Sequence, residues 1–193
     1  MPVAQSSGAG IRRAVTASAC GTAVAVLLTG CGSSSQQVAA SSSPSTASTS
    51  PSTDPTAAAE QQALAAYRGM WAAETKIYTS GSLLNTDLQN YAADKALAGI
   101  RASEVYYQNQ NLVLKGEPKL SPKVTDIDLA GKPQTAHITS CVDSSNFLPV
   151  DKTTGKSAKL ASGVFRHVET ATVINDNGKW LITQAVIEQD RTC

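Results

Sequence analysis

Residues 14–28 form an apolar stretch that begins directly after Arg12 and Arg13 and ends just before Cys31. A basic segment, an apolar segment and small residues at its end are the pattern of a secretory signal peptide. The stretch has about 15 residues, whereas a membrane-spanning helix needs about 20 strongly apolar ones. We therefore expect residues 1–30 to be removed on export, and a transmembrane anchor is the less favoured alternative.

The four residues 28–31 read Leu-Thr-Gly-Cys and resemble the lipobox of bacterial lipoproteins. The resemblance implies cleavage between Gly30 and Cys31 and a diacylglyceryl group on the Cys31 sulfur. A thiolate is the nucleophile that accepts such a group, and two acyl chains anchor a protein stably where one does not. We expect a palmitate-type lipid on Cys31 to hold the protein on the extracytoplasmic face of the cell membrane.

Residues 31–56 consist of the cysteine for lipidation and a tether rich in Ser, Thr, Ala, Gln and Pro. This segment has no apolar periodicity and cannot bury enough surface to offset its ordering entropy, so it is expected to be disordered. A flexible spacer of about 25 residues reaches about 25–30 Å. A single globular domain is then expected over residues 57–193.

The overall charge excludes an electrostatic partner such as nucleic acid. The chain carries 16 Lys+Arg and 15 Asp+Glu, and loss of Arg12 and Arg13 with the signal leaves 14 against 15. A nucleic-acid-binding protein normally carries a basic face that neutralises phosphates. No cluster of basic residues longer than the Arg12-Arg13 pair occurs.

Two helical regions are predicted at the start of the domain. The first runs over residues 55–79: Asp54 is the N-cap, Pro55 takes the first helical position and Gly81 ends the helix. Leu64, Tyr67, Trp71 and Tyr78 share one face of it. The second opens with a capping box at residues 86–89. Its apolar pattern extends towards residue 116, and Gly99 is a possible break.

After residue 116 the apolar period changes to two, which predicts strands over 124–129, 134–142, 164–174 and 179–188. Asn177-Gly178 between the last two strands is a hairpin turn signal. The stretch 150–162 is either a long hairpin tip or a mobile loop. Helices followed by antiparallel strands indicate an α+β domain with the helices on one face of the sheet.

The cysteines predict a disulfide between Cys141 and Cys193. Cys20 leaves with the signal and Cys31 takes lipid, so an even pair remains in an oxidising compartment. In a consecutive antiparallel meander the first and third strands run the same way. Cys141 and the end of the last strand then lie about 9.6 Å apart, two strand spacings, at one edge.

Short motifs spread over most of residues 57–193 resemble a group of small secreted actinobacterial lipoproteins with a nuclear transport factor 2-like (SnoaL-like, cystatin-like) domain. They are Leu88-Gln89-Asn90-Tyr91-Ala92, Gly116-Glu117-Pro118, Ser121-Pro122-Lys123-Val124, Cys141-Val142-Asp143, Gly178-Lys179-Trp180 and Arg191-Thr192-Cys193. The resemblance implies a cone of helices packed into a strongly curved sheet. It implies no activity, because that fold hosts isomerases, dehydratases, binding modules and assembly proteins.

Enzymes of this superfamily place an Asp, His or Tyr inside the cone, which makes Asp143, His137 and His167 candidates here. His137 and Asp143 share a strand face but are about 20 Å apart along it, too far for a hydrogen-bonded dyad. His167 and Glu169 are expected on a solvated sheet face, near Gln184 or Glu188. Asp143 is expected to accept backbone hydrogen bonds in the turn after it. No residue is therefore assigned a catalytic role.

Four aromatic residues either line a cavity between helices and sheet or form plain core, and plain core is favoured: Tyr67, Trp71, Tyr91 and Tyr107. Trp180 is expected to pack the sheet against a helix. The two histidines lie on separate predicted strands, and no Cys-x-x-Cys or His-Glu-x-x-His occurs. We therefore expect no metal site and no cofactor.

Two functions remain open at this point. The first is a non-enzymatic binding or assembly module, tethered to the membrane, that presents its domain to a small apolar ligand, an envelope polymer or an envelope protein. The second is a pocket enzyme of the isomerase or dehydratase type with a buried Asp or His base. An acid or a histidine facing a cavity favours the second function, and an interior packed solid by aromatic and Leu side chains excludes it.

Overall fold

The computed structural model describes residues 54–84, 86–160 and 163–193, so the signal, Cys31 and the tether up to residue 53 lie outside the described residues. Helix α1 is followed by a single 3-10 turn (Leu88–Asn90) and helix α2. The strands come next. The bounds are α1 Pro55–Ser80, α2 Asp94–Asn109, β1 Leu112–Gly116, β2 Lys119–Asp128, β3 Thr135–Asp143, β4 Phe147–Asp151, β5 Arg166–Asp176 and β6 Lys179–Thr192.

The strands form two antiparallel sheets. One has four strands in the order β2-β3-β5-β6, and the other pairs β1 with β4. Helix α1 contacts β1, β2 and β6, while α2 contacts β1 and β6. The predicted α+β class, with helices packed on an antiparallel sheet, is confirmed. Neither helix in the part of the chain that the structure describes is long and apolar enough to cross a membrane.

Helix α1 begins and ends where local signals predict. The Asp54 side chain accepts a hydrogen bond from the Thr56 backbone N–H at 2.9 Å, which satisfies one of the free donors of the first turn. At the other end the Gly81 N–H bonds the Ile77 carbonyl oxygen at 2.9 Å, with Gly81 in the left-handed conformation. Tyr67 on the predicted apolar face is fully buried.

Helix α2 begins later than the sequence pattern predicts, and the capping box at residues 86–89 does not form. The chain just before α2 pairs with β6 instead: the Ala93 N–H bonds the Ile182 carbonyl oxygen at 2.9 Å, and the Ile182 N–H bonds the Tyr91 carbonyl oxygen at 2.8 Å. The backbone at Ala93 is extended and these groups are already paired, so the helix starts only at Asp94. The capping-box prediction is wrong because a tertiary contact competes with it.

The predicted helical pattern over residues 100–116 is also wrong in its second half. Helix α2 passes through Gly99 without a break and ends at Asn109, after which Leu112–Gly116 form β1. Val105 and Tyr106, two of the apolar residues behind the prediction, are 50% and 59% exposed. Their apolar character therefore does not report burial, and the remaining pattern belongs to a strand.

The predicted meander of the last three long strands is confirmed. Strand β3 pairs with β5 and β5 with β6, and Cys141 stands opposite Val168, which stands opposite Glu188. Residues Asn177 and Gly178 have φ angles of 53° and 89° in the hairpin turn, as such turns require. Trp180, just after the turn, is buried in the core.

Cys141 and Cys193 form a disulfide with Cα atoms 5.9 Å apart. Strand β6 continues past the predicted end at Glu188 as far as Thr192. Glu188 is already level with Cys141 across β5. Beyond it the register shifts, Thr192 pairs with His167, and Cys193 directly after the strand reaches Cys141.

Two short strands and part of a third were not predicted. Strand β2 starts at Lys119 rather than 124 and includes Pro122, which is compatible with a strand because β2 is an edge of its sheet. Strand β4 enters the 150–162 segment, where Val150 pairs with Ser157. The start of that segment is thus a hairpin tip, while residues 161–162 lie outside the described residues.

Candidate functional site

A cavity of about 270 Å³ lies between α1, α2, the inner face of the four-stranded sheet and the β1–β4 pair. A second cavity of about 210 Å³ adjoins it and shares Glu74, Tyr78, Ser103 and Ile187 with it. The first cavity is lined by Trp71, Glu74, Tyr78, Ser103, Tyr107, Leu114, Val142, Ser144, Phe147, Pro149, His167 and Ile187. The interior is therefore not packed solid.

Strand alternation brings two titratable residues of β5 to the inner face. Glu169 stands opposite the buried Ser140 on β3 and opposite Ile187 on β6, and His167 is two residues before it. They share a face, as predicted, but the expected solvated face is wrong. Gln184 pairs with Thr172, which belongs to the opposite side of the sheet.

Glu169 is held by two donors from α1. It is 4% exposed, and its Oε2 accepts hydrogen bonds from the Tyr67 hydroxyl and from Trp71 Nε1, the latter at 2.9 Å. Tyr67 and Trp71 are one helical turn apart, so their polar ends reach the same carboxylate. Burial raises the pKa of Glu169, and the two hydrogen bonds oppose that rise.

Glu74 lies on the same helix face, one turn after Trp71, and borders both cavities. Burial raises its pKa from 4.5 to about 8, with a further contribution from the charge of Glu169, while a hydrogen bond with Tyr78 lowers it. Two donors stabilise the carboxylate of Glu169, so Glu169 ionises first. Glu74 then keeps its proton at neutral pH.

Two tyrosines complete this side of the cavity. The rings of Tyr78 and Tyr107 meet edge to face with centroids 5.2 Å apart, and the Tyr78 hydroxyl donates to the Ile100 carbonyl oxygen at 3.4 Å. Burial, and after it the charge of Glu74, raises the pKa of both tyrosines. Both hydroxyls therefore stay protonated at neutral pH.

His167 lines the same cavity from the sheet side. Its Nε2 is 3.3 Å from the Val164 carbonyl oxygen. A carbonyl oxygen only accepts, so this contact assigns the proton to Nε2 and leaves Nδ1 as an acceptor in the neutral ring. Nδ1 is buried and has no hydrogen-bond partner among the described residues.

A third interior acid, Glu104 on α2, is 0% exposed. Its Oε1 accepts a hydrogen bond from Gln108 Nε2 at 2.8 Å, and its Oε2 has no partner within the ranges that the structure describes. The charge of Glu104 is one of the smaller causes that raise the pKa of Tyr107. The helix–sheet interior thus holds three glutamates.

The four aromatic residues predicted as possible pocket lining divide into three groups. Trp71 and Tyr107 line the cavity. Tyr67 is fully buried behind it, where it bonds Glu169. Tyr91 lies elsewhere, against Gly69 in an open hollow beside Trp180.

The other two sequence candidates lie away from the cavity. His137 is exposed on the outer face of β3. Asp143 accepts the Ser145 backbone N–H at 3.0 Å, as predicted for a turn-forming role, and its carboxylate is 3.9 Å from Arg166. Hydrogen bonds from Ser145 are the largest cause of its lowered pKa.

Glu74 and Glu104 were not predicted as site residues, although Glu74 carries a sequence signal. Residues 67, 71, 74 and 78 repeat at spacings of four, three and four, which is the stripe of one helix face. A glutamate within an otherwise aromatic stripe faces the sheet rather than solvent. Glu104 carries a similar signal, because residues 96, 100, 104 and 107 repeat at spacings of four, four and three along α2.

No group of three His, Cys, Asp or Glu side chains in the described part of the chain could hold a metal ion. The site instead combines carboxyl groups, phenol hydroxyls and an imidazole around an aromatic cavity. Such a set can accept N–H hydrogen bonds, donate from hydroxyls and exchange a proton at Glu74.

Comparisons with known proteins identify no family. No protein-family model matches the chain, and no curated protein matches it. Among solved structures, the intermembrane space region of the chloroplast protein ARC6 is similar over 69% of this chain and 97% of that one, with 10% sequence identity and a TM-score of 0.39. Any function must therefore be argued from the site.

Proposed function

We propose that this protein is an extracytoplasmic lipoprotein, tethered through Cys31, whose α+β domain binds a small molecule in the cavity between its helices and its sheet. The observation that carries the binding role is the cavity of about 270 Å³ with Glu74 on its wall. Protein interiors are normally close-packed, and an acid largely removed from water costs stability. A fold that keeps both a cavity and a half-buried acid on its wall gives up stability, which is typical of functional sites.

The proposed export and the proposed membrane tether are inferred from the sequence. The apolar segment, the Leu-Thr-Gly-Cys motif and the polar segment after it are in the order of an exported lipoprotein. The resemblance to nuclear transport factor 2-like lipoproteins belongs to the same proposal, because those proteins use the space between helices and sheet. The cavity gives less support to an envelope protein as the binding partner than to a small molecule.

Native mass spectrometry of the protein purified from membranes tests the binding role. We expect a fraction of the full chain to carry an additional mass of a small molecule. The variant Ser103→Trp should lose it, because Ser103 is exposed and lines both cavities. Ala102→Trp, next to it on α2 and outside the lining, is the matched control. An identical bound fraction in both variants would argue against the cavity as the binding place.

A second candidate function is a pocket enzyme, and one observation favours it. Glu74, with a pKa of about 8, holds a proton beside the ionising Glu169, and His167 lines the same cavity. A carboxylic acid kept neutral near pH 7 can act as a general acid. If the co-purified molecule is consumed on incubation and Glu74→Gln stops that consumption, the protein is an enzyme rather than a binding module.

A further inference from the structure

Aromatic side chains are concentrated around the cavity. The chain has two Trp, five Tyr and two Phe, and four of these nine line the cavity: Trp71, Tyr78, Tyr107 and Phe147. The face of an aromatic ring carries partial negative charge and attracts cations. This wall suits a ligand that combines hydrocarbon with positive charge.

The acids in the interior have no ion-pair partner among the described residues. In the described part of the chain, salt bridges join Arg166 to Asp143 and Arg191 to Glu188. Neither of them includes Glu74 or Glu169. Lys95 lines the second cavity but is exposed. A bound cation would supply the missing counter-charge, whereas a bound anion would add to the repulsion between the glutamates.

The cavity wall offers hydrogen-bond acceptors. Nδ1 of His167 is a buried acceptor with no partner among the described residues, and Glu74 on the same wall becomes an acceptor when it loses its proton. Acceptors favour a ligand that donates N–H bonds. The cavity of about 270 Å³ is just below the range of about 300–1,000 Å³ that is usual for ligand pockets, so the ligand is small.

From these observations we infer that the cavity binds a small organic ammonium ion, with its N–H donors towards Glu74 and its hydrocarbon part against the four aromatic side chains. The inference rests on the proposed binding role and names the class of ligand. An ammonium ion takes the place of the small apolar ligand expected from the sequence, because Glu74 on the cavity wall was not predicted from the sequence. A primary or secondary ammonium fits better than a quaternary one, which has no N–H to donate.

Binding should release a proton from Glu74, which holds it at neutral pH. The apparent affinity for a cation then rises about tenfold per pH unit below pH 8 and levels off above it. The titratable groups that face Glu74 or its immediate neighbours are Tyr78 on α1, Lys95, Glu104 and Tyr107 on α2, and His167 and Glu169 on β5.

Three probes with one carbon frame test the inference: benzylammonium, benzyl alcohol and benzoate. Titration calorimetry on the full chain at pH 8 measures each affinity. We expect benzylammonium to bind at least about tenfold more tightly than benzyl alcohol, since a hydrogen bond to a charged group contributes that much. Benzoate should bind least. Repeating the titration at pH 7 in buffers of different ionisation enthalpy should show proton release with benzylammonium.

The variant Glu74→Gln keeps the shape of the side chain and removes its charge. It should lose both the preference for benzylammonium and the proton release. Glu60→Gln removes the same charge on the same helix from a residue outside the cavity lining, and it should bind as wild type does. Proton release in the wild type tests the inference even if Glu74→Gln does not fold.

The outcomes separate the inference from the proposed function. Benzyl alcohol binding as tightly as benzylammonium would overturn the cationic ligand and leave the binding cavity in place. A preference that survives Glu74→Gln would overturn the role of Glu74 in it. Failure of all three probes to bind at millimolar concentration would overturn the inference and count against the binding role as well.

Discussion

Glu74 illustrates how much the surroundings of one residue matter. On the surface of a helix a glutamate is unremarkable, but here it shares a face with Tyr67, Trp71 and Tyr78 and borders a cavity. Its charged form loses hydration and meets the charge of Glu169. Both effects oppose ionisation, and the consequence is a group that exchanges its proton within the physiological pH range.

The raised pKa of Glu74 makes stability depend on pH. Between pH 4.5 and about 8 the folded chain holds a proton that an unfolded glutamate has released, so the free energy of unfolding falls as pH rises through that window. We expect Glu74→Gln to equal wild type below pH 4.5 and to exceed it by a few kcal/mol at pH 8. Urea unfolding at several pH values measures the difference.

The control for this prediction is Glu60→Gln, which makes the same substitution on the same helix outside the cavity lining. A constant difference between Glu74→Gln and wild type from pH 4.5 to 8 would contradict the raised pKa.

Tyr67 tests the hydrogen bonds that hold Glu169. Tyr67→Phe leaves Oε2 of Glu169 with the Trp71 donor alone, and we expect a loss of about 1–3 kcal/mol in the free energy of unfolding at pH 7. Tyr106→Phe is the control, because Tyr106 is 59% exposed. Equal stability of the two variants in urea would show that the Tyr67 hydroxyl contributes nothing.

At the scale of elements, α2 and β1 show where apolar pattern alone misleads. The stretch from residue 100 to 112 contains apolar residues at helical spacing, yet Val105 and Tyr106 point to solvent. The helix ends at Asn109 and Asn111 takes a φ of 54°. The Asn111 side chain donates to Asp151 at 3.0 Å, next to the β1–β4 pairing that the local pattern does not report.

Two glycines with the same φ allow the cost of backbone strain to be distinguished from the cost of steric crowding when a Cβ is added. Gly116 and Gly178 both have a φ of 89°. A Cβ at Gly116 would overlap the backbone oxygen of Asn146 in the turn before β4, whereas one at Gly178 meets nothing within 4 Å. We expect Gly178→Ala to lower the free energy of unfolding by about 1–2 kcal/mol and Gly116→Ala by clearly more. Equal losses in urea would contradict the close approach of Asn146 to Gly116.

For the whole molecule, the disulfide ties the last strand to the middle of the sheet. Cys141 and Cys193 are 52 residues apart in the chain, and closing a loop of that length stabilises by about 3–4 kcal/mol in the chain-entropy model. The double variant Cys141→Ser/Cys193→Ser should lose about that amount in urea unfolding. Alkylation and mass spectrometry should label both cysteines only after reduction, and labelling without reductant would contradict the pairing.

The tether is the other whole-molecule prediction. Replacement of Cys31 by Ala removes the thiol that the Leu-Thr-Gly-Cys motif offers for lipid. We expect the variant to leave the lipidated membrane fraction and the wild type to remain there until detergent is added. Cys20→Ala, within the expected signal, should behave as wild type does. An unlipidated but membrane-bound wild type would favour the alternative of a transmembrane anchor.

The sequence by itself was sufficient where the deciding contacts are local. Asp54, Pro55 and Gly81 mark both ends of α1, Asn177-Gly178 marks the last hairpin, and each signal acts within a few residues of the chain. The α+β class follows from the order of these elements. The disulfide between Cys141 and Cys193 could be predicted from the number of cysteines and from the predicted antiparallel meander.

The site depended on tertiary structure. Alternation along β5 shows that His167 and Glu169 share a face, but only the packing of α1 determines that this face is buried and that Tyr67 and Trp71 bond Glu169. The start of α2 depends in the same way on backbone pairing with Ile182, 90 residues further along the chain. Contacts between distant segments leave no local pattern, because their energy depends on which surfaces meet, and a sequence window contains only one of the two surfaces.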